Sequence, residues 1–257
     1  MKIKILYSHY NTNQDLCVKY RPFWFSYEKC FKNFLKTIEF IPKEFCEIEF
    51  HVIYDETRGK IEQNWIKNYS YINNKTNPII DKKFNIINYH VIQGGSMFGA
   101  AKEMYRIAKE LSEDMEDNDL FYFVENDYLH LPKWVSEIKN LFSTFNLNGG
   151  YVSTYDHGDK YTWMHLYENL TSKIFATSTR HFRTVPNTCG TYLCNKKLFL
   201  EDYDVHSGLE GDANKWAWLA ENRGRFLLSP VPSLSTHCVD EELLAPTIDW
   251  KKISDQA

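Results

Sequence analysis

Short apolar runs alternate along this chain with segments of helical period, and the alternation predicts its architecture. Ile3 to Tyr7 reads as a strand ending in the polar run Ser8-His9-Tyr10-Asn11. Tyr27, Cys30, Phe31, Phe34, Leu35 and Ile38 then recur every three or four residues, which predicts an amphipathic helix that Pro42 closes. Ile48 to Tyr54 is a second strand, followed by Asp55 to Gly59, and strand, helix, strand at this spacing forms a βαβ unit. Lys60 to Lys83 is polar, aromatic and Asn-rich, and shows neither period. Asn88 to Ile92 predicts a third strand, closed by Gln93-Gly94-Gly95-Ser96. Met97, Ala100, Ala101, Met104, Ala108 and Leu111 trace a second helix with Ser96 as its N-cap.

The run Phe121-Tyr122-Phe123-Val124 is apolar at every position, the pattern of a strand covered on both faces. Pro132 suits a first helical position, and Trp134, Val135, Ile138, Leu141, Phe142 and Phe145 mark the buried face of a third helix, stopped by Gly149-Gly150. Four strand-then-helix repeats predict a mostly parallel central sheet flanked by helices. Ligands of such sheets bind beyond the carboxyl ends of the strands. Tyr7–Asn11, Asp55–Gly59, Gln93–Ser96 and Glu125–Asp127 all fall at that edge. The second half is less regular. Tyr151 to Thr154 reads as a strand, the loop Tyr155 to Asp159 follows, and Arg180 to Arg183 precede a strand from Thr188 to Asn195. Glu210-Gly211-Asp212 opens a helix that carries Trp216 and Trp218 and ends at Arg223-Gly224. Phe226 to Leu228 is a further short strand. No linker, repeat or low-complexity tract divides the chain, so one folded unit over residues 1–257 is expected.

Chemistry enters at Glu125-Asn126-Asp127. Two carboxylates follow the most apolar strand directly, and like charges a few ångströms apart repel by roughly 4 kcal/mol at an effective dielectric near 20. A divalent cation resolves that conflict, and oxygen ligands suit Mg²⁺ or Mn²⁺. A solvated turn after a core strand is the plainer reading. Composition narrows the rest. At 257 residues and 43% hydrophobic, the chain is long enough to bury a sizeable core. A net charge of −4 without a basic block speaks against a nucleic-acid partner. No apolar run approaches the ~18 residues of a membrane span. Six cysteines without CxxC spacing point to reduced thiols and a cytoplasmic location, where the sequons at Asn68, Asn74 and Asn169 carry no meaning.

Taken in order, these motifs resemble the GT-A glycosyltransferases, most closely the family 2-like members. The resemblance rests on Leu6 to Asn11 after the first strand, Ile53-Tyr54-Asp55-Glu56 at the end of the second, and Gly94-Gly95-Ser96 through Lys102. Glu125-Asn126-Asp127 stands where that family has its DxD motif, Gly211-Asp212 to Trp216 looks like its helix-start acid, and His237 like its C-terminal metal ligand. It implies a single GT-A domain with a nucleotide-binding half, 1–130, and an acceptor-binding half, 131–257. It also implies a nucleotide-diphosphate sugar as donor, most simply UDP-linked, a glycan or other hydroxyl as acceptor, and Mn²⁺ or Mg²⁺. Tyr7, His9, Asn11, Asp55, Gly95, Lys102 and Arg183 would contact the donor. Asp127, on a solvent-facing strand end, and His237 would hold the metal, with Glu125 beside it or on the ribose. Asp212 would be the general base of an inverting transfer, Glu210 covering part of that role.

Two departures stand out: Glu125 replaces the usual first Asp, and Gly211 stands where Glu is common. Asp212 as a plain N-cap, His237 as a surface histidine, Arg183 as a surface arginine, and Trp216 and Trp218 as core residues are the bland alternatives. A sugar-phosphate nucleotidyltransferase is the rival enzyme. It requires a glycine-rich basic loop after the first strand, which Ser8 to Asn13 lacks. A carbohydrate-binding protein that kept the fold without turnover is the non-enzymatic rival.

Overall fold

The computed structural model describes residues 1–11, 19–39, 41–69, 87–161, 167 and 169–257. Thr12, Asn13, Cys17, the sequon at Asn74 and most of the aperiodic 60–83 stretch lie outside them. Strands β1 (Lys2–Tyr10), β2 (Glu47–Asp55), β3 (Ile87–Ile92) and β4 (Leu120–Glu125) run parallel in the order β3-β2-β1-β4. Later in the chain come β5 (Tyr128–His130), β6 (Gly150–Val152), β7 (Ile174–Ala176), β8 (His181–Val185), β9 (Tyr192–Asn195), β10 (Phe226–Val231) and β11 (Ser235–His237). The main sheet is nine-stranded, β3-β2-β1-β4-β9-β6-β10-β8-β7. Of these only β8 and β9 oppose the common direction, so the expected mostly parallel α/β sheet is the one observed.

Helices α1 (Tyr27–Ile38), α2 (Met97–Leu111), α3 (Trp134–Thr144), α4 (Lys196–Glu201), α5 (Tyr203–Gly208), α6 (Asp212–Arg223) and α7 (Trp250–Asp255) flank it. Ser26 and Ser96 cap α1 and α2 by accepting from the amides of Lys29 and Gly99. Because strand side chains alternate, β1 sends Ile3, Ile5 and Tyr7 to a core shared with Phe31, Phe34 and Trp134. Leu6 goes to the opposite core with Phe121, Phe123, Met104 and Trp216. No helix among the described residues is long and apolar enough to cross a membrane.

Three expectations are corrected. After β2 the described chain makes 3₁₀ turns at Glu56–Arg58, Ile61–Gln63 and Trp65–Asn68 in place of a helix. Aromatic packing anchors this segment, with Trp65 and Tyr69 edge-on to Phe31 at 5.6 and 5.2 Å. Pro132 lies outside α3, in the turn before it. Met97 is 85% exposed because it opens α2 at the rim of the sheet, outside the buried stripe. The run from Phe121 to His130 breaks at Asn126-Asp127: β4 stays in the main sheet, while β5 leaves it to pair antiparallel with β11. Asn33 of α1 clamps β5 by accepting from the His130 amide (2.7 Å) and donating to its carbonyl (3.1 Å).

Buried histidines give the fold a pH limit. Burial holds His9 down to about 4 and His130 to about 3, and keeps His157 and His206 well below the usual value. A depressed folded pKa means the unfolded chain takes up protons first, so this stability is complete above about pH 6.5 and is lost on acidification. Each such histidine removes up to ~1.4 kcal/mol per pH unit over its window. The urea midpoint is therefore expected to fall steeply between about pH 6.5 and 4, and a flat midpoint there would contradict this account.

Candidate functional site

The parallel register brings the carboxyl ends of the strands together. Ser8 of β1 pairs with Glu125, Tyr10 with Asp55, and Asp55 with Ile92. Asp55 Oδ1 accepts from the Thr57 amide (2.9 Å), the Thr57 hydroxyl (2.5 Å) and the Gly94 amide (3.1 Å). Gly95, at φ +72°, donates its amide to Thr57 Oγ1 at 2.8 Å. The loops after β2 and β3 thus form one hydrogen-bonded rim, with Lys102 exposed on α2. Asn11 packs its amide group against Gly59.

Tyr7 and His9 face inward. Tyr7 is 1% exposed and donates to the Asn126 carbonyl (3.2 Å). The His9 ring lies between Asn126 Nδ2 at 3.0 Å and Asn64 Oδ1 at 3.3 Å. A neutral ring protonated on Nε2 satisfies both contacts. Both residues brace the acidic turn from beneath it.

Asp127 is the centre of the charge pattern. Its Oδ2 meets His237 Nε2 at 3.1 Å and accepts from Arg21 Nη1 at 3.0 Å. Its Oδ1 is buried without a hydrogen-bond partner among the described residues. Burial alone would raise this carboxyl, but His237 and Arg21 outweigh it and hold it well below the usual range. Burial works against the charge on His237 too, and Asp127 overcomes it, raising the imidazole well above its ordinary value. The β5–β11 pairing sets this geometry by placing His237 opposite Tyr128, whose ring stacks on it at 4.6 Å and 12°.

Glu125 differs from its neighbour. Its amide and Oε2 both contact Thr191 Oγ1, at 3.0 and 3.2 Å. A Cβ on Gly190 would stand 3.0 Å from its carboxyl, so glycine is what lets this acid lie there. Burial first, then repulsion from Asp127 and Asp212, pushes it up to about 7 against the pull of His237. Asp212 is therefore electrostatically within reach of the same site. It is the first residue of α6 and makes no N-cap bond; Lys215 Nζ, one turn on, donates to its Oδ1 at 3.1 Å. Lys215 is 5% exposed, ringed by Tyr105, Tyr192 and Trp216. Trp216 is a core residue whose indole donates to the Thr188 carbonyl (2.7 Å), tying α6 to the loop bearing Gly190 and Thr191. Glu210 is exposed. The Arg183 guanidinium is spent on buried Asp156, donating from Nη2 at 2.8 Å and Nε at 3.2 Å.

No protein-family model matches the chain, and neither does any curated protein. Many solved structures resemble its fold. Among them are TarS residues 1–349 of S. aureus (11% identity, TM-score 0.47, covering 89% of this chain and 58% of that one) and two transferases. One of these is a putative glucose-1-phosphate thymidylyltransferase of Bacillus anthracis (10%, 0.48, 100% and 95%). The other is mouse xyloside xylosyltransferase 1 (8%, 0.44, 88% and 84%). The chain thus spans little more than half of the TarS segment.

Among the described residues, no three His, Cys, Asp or Glu side chains are grouped to hold a metal ion by themselves. Asp127 and His237 nevertheless fit one as a pair. They offer an orphaned carboxylate oxygen and, once the imidazolium that Asp127 stabilises gives up a proton, an imidazole nitrogen, a donor set that suits Mn²⁺ or Mg²⁺ when further oxygens arrive. Several residues of this site escaped the sequence reading. Arg21, in an aromatic loop over a hundred residues from Asp127, has no local signature. Thr191 and Gly190 lie in a strand-like stretch. Lys215 could have been found, since it sits at i+3 from Asp212 on a predicted helix.

Proposed function

We propose that the chain is a glycosyltransferase that moves a sugar from a nucleotide-diphosphate donor, UDP-linked in the simplest case, to a hydroxyl of a glycan or similar acceptor. The observation that carries this reading is a group of three acids in three different environments: paired Asp127, desolvated Glu125 and lysine-held Asp212. Unequal carboxylates side by side are the signature of divided labour in a site. Asp127 and His237 would hold Mn²⁺ or Mg²⁺, which when bound supplies charge stabilisation to the leaving diphosphate. The rim of Asp55, Thr57 and Gly95 would receive the nucleoside. Glu125, whose carboxyl burial pushes up to about 7, can accept from or donate to a donor hydroxyl. Asp212, with Oδ1 fixed by Lys215, keeps Oδ2 to take the proton of the acceptor hydroxyl. As that oxygen bonds to the anomeric carbon, the bond to the diphosphate breaks on the opposite face. The proton ends on Asp212 and the configuration inverts.

The test is turnover of a panel of nucleotide sugars with Mn²⁺ present. Release of nucleoside diphosphate from at least one, stimulated by a sugar acceptor, is the expected result. Pyrophosphate formed from a nucleoside triphosphate and a sugar 1-phosphate would mean nucleotidyl transfer instead, and turnover of neither would favour a binding protein.

A further inference from the structure

We infer that Lys215 is a positioning residue for Asp212, held in place from behind by a buried hydrogen-bonded chain that crosses the core to an arginine-clamped carboxylate at Asp202. The catalytic role of Asp212 rests on the proposed function; the hold of the chain on Lys215 does not.

Lys215 Nζ donates to Asp212 Oδ1 and reaches the Tyr105 hydroxyl at 3.4 Å. The Tyr105 and Tyr192 oxygens are 3.2 Å apart, and the Tyr192 oxygen lies 3.0 Å from His206 Nδ1. His206 Nε2 is 2.9 Å from the Tyr151 oxygen, and the Tyr151 hydroxyl donates to Asp202 Oδ2 at 2.7 Å. Arg225 Nε donates to that same oxygen and Arg223 Nη1 to Oδ1, each at 2.9 Å. Every residue from Lys215 to Asp202 is at most 5% exposed, so each polar group depends on its neighbour in the chain. Proton counting gives the chain a direction. Asp202, clamped by two arginines, only accepts, so Tyr151 donates to it and must itself accept from His206 Nε2. With His206 neutral, as burial beside Lys215 and Arg223 keeps it, Nδ1 accepts from Tyr192. Hydroxyl hydrogens rotate to suit, so Tyr192 accepts from Tyr105, and Tyr105 from Lys215. The links thus run head to tail from a buried cation to a buried anion, and each polarises the next. A chain serving the core alone would end inside it. This one ends on Asp212, whose side chain is 43% exposed and makes no N-cap bond. A solvated lysine would hold that carboxylate loosely; one tied at its back to the core fixes Oδ1 and leaves Oδ2 free.

Two measurements test this, and the first needs no substrate. Acylation by acetic anhydride, read at each lysine by mass spectrometry, should leave Lys215 nearly unmodified in the wild type. Tyr192→Phe keeps the ring beside Lys215 and removes one oxygen from the middle of the chain. It should speed labelling of Lys215 by roughly 3- to 10-fold, the worth of one hydrogen bond. Lys4, buried in a separate ion-pair group with Glu49, should keep its wild-type rate. His206→Leu should act like Tyr192→Phe. His206→Gln, whose amide offers an acceptor to Tyr192 and a donor to Tyr151, should stay near wild type, which a role in packing alone does not produce. Unchanged labelling of Lys215, an equal rise at Lys4, or equal effects of His206→Leu and His206→Gln overturns the inference. The second measurement is turnover of a nucleotide sugar. Tyr192→Phe should lower kcat by roughly 3- to 10-fold with donor KM unchanged, and should lower it no further in an Asp212→Asn background. An equal fall in both backgrounds overturns the positioning role. The expected labelling in a protein that turns over no nucleotide sugar would leave the hold on Lys215 standing and count against the glycosyl-transfer reading.

Discussion

Replacing Asp212 by Asn is expected to lower turnover by roughly 10²- to 10⁴-fold, the usual range for loss of a general base, with donor affinity near wild type. The structure removes the main alternative, that this acid merely caps its helix: α6 has no side-chain cap, and the carboxylate is turned to Lys215. Asn keeps the volume and an oxygen for Lys215, so the geometry survives while the site can no longer take a proton. A fall in kcat with an unchanged donor KM is the pattern of an interaction made only in the transition state. Wild-type turnover in Asp212→Asn would pass the role to Glu210 or to an acid of the Asp156–Asp159 loop. Both are weaker candidates, since Glu210 is exposed and Asp156 is fully engaged by Arg183, Ser229 and Tyr161.

Asp127→Ala is expected to abolish the metal-dependent part of nucleotide binding and to destabilise the fold by roughly 3–5 kcal/mol, the cost of leaving buried charges without their partner. The second effect corrects the sequence reading, which placed Asp127 on a solvent-facing strand end. Its side chain is 11% exposed and stands between Arg21 and His237, so removing it takes away the carboxylate that both cations share. Glu125→Ala should do less to metal binding, because that acid is bound to Thr191 and lies outside the Asp127–His237 pair. Thermal unfolding of Asp127→Ala at the wild-type midpoint would contradict the second effect. Greater loss of Mn²⁺ affinity from Glu125→Ala than from Asp127→Ala would reverse the roles of the two acids.

The strand-helix half of the fold was legible because its elements are local and strongly periodic. The six apolar positions of α1 are all buried, and Phe121 to Val124 is covered on both faces as its pattern required. The site was legible only where it followed from that frame. Parallel strands put Asp55 and Glu125–Asp127 on one edge, and the helix start put Asp212 at its rim. What escaped depends on contacts distant in sequence. The pairing of β5 with β11 spans about a hundred residues and decides that His237 meets Asp127, which the resemblance implied but no spacing could show. Arg21 reaches Asp127 across a comparable separation. Tyr7 and His9 are a different kind of miss. They share a strand face with Ile3 and Ile5, and the two-residue period already directed both side chains into the interior, beneath the turn they brace.

Calorimetric titration of UDP, with and without Mn²⁺, is the most direct test of the proposed donor site. The Asp127–His237 pair supplies too few ligands to hold the cation alone. Phosphate oxygens must therefore complete the site, and UDP should bind markedly more tightly with Mn²⁺ present, with Mn²⁺ in turn bound more tightly in the presence of UDP by the same factor. Equal UDP affinity in both conditions would contradict the account.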